Sequence, residues 1–150
     1  MSMLFLTSSQ WWSPRHDRSF AIEKSVNMER KTIAIIGATE ERGAAIARQM
    51  AGNDNLLLLF SHETEKLKTL IAEIRQASPH AKLESSGCAF EASWEADVIV
   101  NAMPLENTDE IVLKISTVAT QKLVLGISEE SVAMMKKKLP HSKVELAAYN

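Results

Sequence analysis

From Lys31 onward, short apolar runs alternate with amphipathic stretches in a regular order. "TIAIIG" is a compact β-branched run, the pattern of a strand buried on both faces. "GAAIARQMAG" follows as a helix, with Gly52 placed as its stop. "NLLLLFS" predicts a second strand. "ETEKLKTLIAEIRQ" predicts a helix with Leu67, Leu70, Ile71 and Ile74 on one face, at the i, i+3, i+4, i+7 spacing. "AKLESSG" is a weak third strand and "ADVIVNAMP" a strong fourth. "LENTDEIVLKISTVAT" predicts a helix with Ile111, Val112, Ile115 and Val118 turned inward. "KLVLGIS", "EESVAMMKKKLP" and "KVELAAY" complete the series as strand, helix and strand. Short connections between strands and helices predict right-handed crossovers and a doubly wound α/β fold with a six-stranded parallel sheet. In such a sheet ligands bind beyond the carboxyl ends of the strands, at the switch point in strand order.

The leading stretch breaks this rhythm. "SSQWWSPRHDRS" has neither period, and Met28 stands just before "ERKTIAIIG". Residues 1–29 are expected to be an extension, disordered or preceding the true start. The alternative is a docking arm anchored by Trp11 and Trp12. The domain is then residues 30–150, enough for one hydrophobic core. A net charge of -2 gives no general attraction to nucleic acid or anionic membrane. No apolar run reaches the roughly 20 residues of a membrane helix. Cys88 is the only cysteine, so an internal disulfide is excluded and a cytoplasmic setting is expected. The basic run Lys136, Lys137 and Lys138 suits a helix C-terminus.

The candidate chemistry begins at "GATEERG", after the first strand. A glycine-rich turn there brings backbone close to a dinucleotide pyrophosphate and aims helix N–H groups at it. Gly37 ends the strand and Gly43 starts the helix, but Glu40 stands where a middle glycine is usual. Its charge opposes a phosphate by about 1 to 4 kcal/mol at roughly 4 Å. Arg42 offsets part of this. Two outcomes are open: the loop holds a nucleotide, or Glu40 and Glu41 satisfy the helix dipole themselves.

At the end of the second strand, "SHETEK" lies where the adenosine ribose is selected. An acid there prefers the free 2′-hydroxyl of NAD, and basic or small polar groups admit the 2′-phosphate of NADP. Ser61, His62 and Lys66 are of the second kind. Glu63 complicates the assignment, although it can also serve as a helix-start carboxylate. A plain helix cap by Ser61 is the alternative.

"KTIAIIGATEERGAAIARQMA", "FSHETEKL", "ADVIVNAMP", "KLVLGIS" and "LPHSKVELAAYN" together resemble the N-terminal Rossmann domain of deazaflavin-dependent NADP oxidoreductases. The resemblance implies an NAD(P)-binding fold with NADP as cofactor and hydride transfer as the reaction. It implies that Gly37, Thr39, Glu40 and Arg42 border the pyrophosphate, and that Ser61, His62 and Lys66 hold the 2′-phosphate. Ala102, Met103 and Pro104 would line the nicotinamide, with Ser128 near its ring. Glu40 in place of a glycine and His62 in place of an arginine depart from the family pattern. A neutral imidazole is a weaker phosphate partner than a guanidinium. Much of the family's deazaflavin site is expected beyond this domain, so a second small-molecule substrate site would come from another subunit of a homo-oligomer or not exist.

Other chemistries fit poorly. A short-chain dehydrogenase needs Tyr-x-x-x-Lys, and the only tyrosine, Tyr149, has no lysine after it. There is no Gly-Lys-Ser or Gly-Lys-Thr phosphate loop and no zinc-like histidine spacing. His80 and His141 read as turn residues, and Cys88 as a small buried apolar residue. Asn101 is either a site residue or a satisfied strand-end amide, and Trp94 is expected to cover the sheet edge. The alternative to an oxidoreductase is a non-catalytic interaction or regulatory module that has kept the sheet and lost the cofactor.

Overall fold

A computed structural model describes residues 31–147. The expectations for the leading extension, including Trp11 and Trp12, lie outside the described residues. The chain runs β1 (Thr32–Ile36), α1 (Glu41–Met50), β2 (Leu56–Phe60), α2 (Thr64–Ala77), β3 (Lys82–Ser85), α3 (Ala89–Glu95) and β4 (Val98–Asn101). A 3₁₀ turn (Leu105–Asn107), α4 (Thr108–Ile115), β5 (Leu123–Gly126), α5 (Glu129–Lys138) and β6 (Lys143–Leu146) follow. The strands form one six-stranded sheet in the order β3-β2-β1-β4-β5-β6, and every pairing is parallel. The doubly wound α/β expectation is correct, and the switch in strand order falls between β1 and β4.

The sheet is buried because its central strands are apolar at all but their end positions, Thr32 in β1 and Asn101 in β4. Ile33 and Ile35 join Leu57, Leu59 and Val100 beneath α1 and α2. The alternate residues Ala34, Ile36, Leu58 and Ile99 face α3, α4 and α5. Side chains on a strand alternate faces, so one run feeds two cores. The predicted inward residues are buried: Leu67, Leu70, Ile71 and Ile74 on α2 and Ile111, Val112 and Ile115 on α4, whereas Val118, also buried, lies in the turn after α4, which ends earlier than expected. The weak third strand is an edge strand with only Leu83 buried.

Helix α3 is the element that the periodicity misses. "AFEASWE" is too short for its apolar positions to establish a period. Tertiary contacts hold it instead. Cys88 caps it, its Sγ accepting from the Glu91 amide at 3.3 Å, so it is a partly buried cap rather than a small core residue. At the other end, Lys122 Nζ donates to the carbonyls of Ser93 and Trp94. Burial pulls the Lys122 ammonium below its usual range, with Asp97 opposing that shift. Trp94 therefore lies on a helix rather than over the sheet edge: it is 66% exposed and stacks with Phe90. The predicted long helix after β4 also begins later than expected, because Pro104 and the 3₁₀ turn precede Thr108. Lys136, Lys137 and Lys138 occupy the last turn of α5, as expected.

Candidate functional site

The central strands end level with one another. Ile36 pairs with Phe60 on one side and Asn101 on the other, and Asn101 pairs with Gly126. The loops that follow therefore share one rim, and every site residue predicted from sequence lies on it or on the first turn of the next helix.

At its centre the chain reverses tightly. Gly37 has φ +86°, and a Cβ there would lie 2.8 Å from Met103 Sδ and 3.1 Å from the Ala102 carbonyl carbon. Its amide and that of Ala38 both donate to the Phe60 carbonyl. A Cβ on Gly43 would fall 2.2 Å from the Gly37 carbonyl oxygen and 3.0 Å from Ala102 Cβ. The start of α1, the end of β1 and the end of β4 thus meet at a point where only hydrogen fits. The sequence predicted this use of both glycines.

Glu40 is the N-cap residue of α1, with extended backbone (φ -67°, ψ 153°) and no side-chain cap hydrogen bond. Its backbone closes the turn: the amide donates to Gly37 O at 3.0 Å, and the carbonyl accepts from Ala44 at 2.8 Å. Glu40 thus makes no side-chain cap, while Glu41 stands in the first turn of α1, where its charge faces the positive end of the dipole. Helix geometry leaves the first-turn N–H groups without intrahelical partners, and the dipole makes that end receptive to an anion. Arg42 leans across the rim, its Nη1 donating to the Ile127 carbonyl at 2.9 Å. This pins the guanidinium between the loops after β1 and β5.

The residues after β2 form a closed network. Thr39 Oγ1 and Ser61 Oγ share a short hydrogen bond. Ser61 Oγ also accepts from the Glu63 amide at 3.0 Å, a local turn rather than the helix cap considered from sequence. Thr39 Oγ1 lies 3.1 Å from Glu63 Oε1, and Glu63 Oε2 pairs with Lys66 Nζ at 3.0 Å. The Lys66 hydrogen bond, then that of Thr39, holds the Glu63 carboxyl below the usual glutamate range. Glu63 precedes α2 but makes no side-chain cap bond; its carboxylate turns back towards the β1 loop. His62 takes no part, setting its ring edge-on to Phe60 with centroids 5.1 Å apart. A groove of about 320 Å³ between α1 and α2 borders this network through Thr39 and Lys66.

On the far side of the switch point, Asn101 is fully buried. Its Oδ1 accepts from the Met103 amide at 3.1 Å, and its Nδ2 lies 3.6 Å from Met135 Sδ. It is the satisfied amide of the two alternatives and fixes the loop after β4. Ala102 is buried, its amide donating to Ile36 O at 2.8 Å. Met103 and Pro104 are half-buried. Ser128 caps α5, its Oγ accepting from the Ser131 amide at 3.1 Å. The network around Glu63 was the part not deduced from sequence. Its one linear sign is the Glu63–Lys66 spacing, a helical i,i+3 pair.

No family model matches the chain. It is 29% identical over 106 residues to N-acetyl-gamma-glutamyl-phosphate reductase of Xanthomonas euvesicatoria pv. vesicatoria (strain 85-10), covering 70% of this chain and 34% of that protein. The chain spans about a third of the length of the curated relatives it matches. Among solved structures it is similar to a protein of Arthrobacter sp. FB24 described as an F420-dependent NADP-reductase, with TM-score 0.60 and 14% identity, covering 76% of this chain and 60% of that one. It is also similar to lactate dehydrogenase of Cryptosporidium parvum, solved with lactic acid and nicotinamide adenine dinucleotide, with TM-score 0.62 and 17% identity, covering 75% and 42%. At these identities the likeness establishes a shared fold. The deazaflavin-dependent group is one of several comparably similar groups.

Proposed function

We propose that the chain is the nicotinamide-dinucleotide-binding domain of a reductase, with NADP(H) as its cofactor. One observation carries this: at the switch point, Gly37 and Gly43 leave no space for a Cβ, and Glu40 leaves the α1 amino end without a side-chain cap. That is the geometry a pyrophosphate needs. The N–H groups opening α1, with Thr39 and Arg42, would hold the pyrophosphate. Ser61, His62 and Lys66 would border the adenosine ribose and its 2′-phosphate. Ala102, Met103, Pro104 and Ser128 would line the nicotinamide end. The bound cofactor supplies hydride to a small-molecule acceptor; the chain's own part is to fix its position. The reductases and dehydrogenases among the similar proteins support this reading.

The test is a titration of the purified protein with NADPH and NADH, followed by melting temperature. A ligand at a hundredfold excess over Kd stabilises by about 2.7 kcal/mol, a rise of about 10 °C for a domain of this size. A melting temperature unmoved by either dinucleotide at millimolar concentration would instead favour the second reading, a non-catalytic module with the same sheet. The observation on that side is that a carboxylate lies in each phosphate-facing loop, Glu40 after β1 and Glu63 after β2.

A further inference from the structure

Thr39, Ser61 and Lys66 bring two hydroxyls and an ammonium together from two loops and a helix. Such a set receives an anion. An anion is already there, and it belongs to the chain: Glu63 spans the set, one carboxylate oxygen 3.1 Å from Thr39 Oγ1 and the other 3.0 Å from Lys66 Nζ. Resting on the dinucleotide-binding reading, we infer that Glu63 is the residue that sets cofactor choice, acting as an internal competitor for the 2′-phosphate of NADP. A 2′-phosphate can take Lys66 and Thr39 only by displacing this carboxylate, and it meets like charge if the carboxylate stays nearby. A free 2′-hydroxyl meets neither cost, and the carboxylate can accept its hydrogen bond.

The latch is built to be opened. The side chains of Glu63 and Lys66 are 47% and 70% exposed, and exposed pairs of this kind hold weakly. Ser61 is different: it is buried and anchors the Glu63 amide, so the backbone stays in place when the carboxylate swings out. The competition is therefore local to the ribose, and the pyrophosphate and nicotinamide ends of the ligand should not feel it.

The test compares the protein with its Glu63→Gln variant, measuring Kd for NADPH, NADH and 2′,5′-ADP, the last carrying the 2′-phosphate without nicotinamide. Glutamine keeps the shape and removes the charge. The expected result is that NADPH and 2′,5′-ADP bind about fivefold more tightly to the variant, with NADH changed by less than about twofold. A merely structural role would move NADPH and NADH together. An unchanged NADPH to NADH ratio overturns the inference and leaves the dinucleotide site standing. Failure of both proteins to bind any of the three ligands overturns the site itself, and the inference with it.

Discussion

On the rim, Glu40 is the residue whose replacement most directly tests the proposed pyrophosphate site. Its backbone does what any residue could do there, since φ -67° and ψ 153° are ordinary extended values. Its side chain contributes no cap bond, so replacement by glycine costs the helix only a few tenths of a kcal/mol. What the replacement removes is a negative charge beside the expected pyrophosphate. Glu40→Gly is expected to lower the Kd for NADPH by about tenfold, measured by fluorescence titration, with the melting temperature of the free protein almost unmoved. Equal affinity in the two proteins would mean that the carboxylate points away from the phosphates. Glu63 is the contrasting case: each of its carboxylate oxygens has a partner, Thr39 for one and Lys66 for the other.

Among the elements, the β1–α1 junction tolerates least. Gly43 lies on the first turn of α1, where a side chain would normally be harmless. Here helix and strand approach so closely that a Cβ would overlap the Gly37 carbonyl oxygen. The obstacle is backbone and cannot rotate away, so the helix itself must move. Gly43→Ala is expected to destabilise the fold by about 3 kcal/mol, read from the urea midpoint, and to weaken dinucleotide binding because α1 is displaced from the rim. A variant as stable as the parent would mean that α1 slides freely along the sheet. α3 is the contrasting element: it packs through Ala89 and Ala92 and is fixed at its ends by Cys88 and Lys122, so its position depends on contacts distant in sequence.

At the scale of the whole molecule, one sheet joins two cores. Ile99 and Val100 are neighbours in β4, yet Ile99 packs with α4 and α5 and Val100 with α1 and α2. Neither core can be lost while the other keeps its strand. Ile99→Ala and Val100→Ala are each expected to cost about 2 to 4 kcal/mol, and each should leave a single unfolding transition. Calorimetry checks this: the calorimetric and van't Hoff enthalpies should agree in both variants. Two resolved transitions in either would show that the faces unfold separately. No described helix is long and apolar enough to cross a membrane.

The sheet and most of its helices were legible because their signals are local and repeated. Continuous apolar runs such as Leu56–Phe60 mean burial on both faces, and the spacing of Leu67, Leu70, Ile71 and Ile74 means one helical face. The roles of Gly37 and Gly43 were legible too, since glycine at a strand-to-helix turn has few other uses. α3 was not, because seven residues carry too little period and its caps come from across the fold. Nor was the direction of any carboxylate. Glu40, Glu41 and Glu63 looked alike as acids near a helix start. Only the folded chain decides that Glu63 turns towards Thr39 and Lys66 while Glu40 makes no cap bond to α1. Backbone pattern is written in the order of residues; the aim of a charged side chain depends on which loop arrives opposite it, and that is fixed only when β1 and β2 lie side by side.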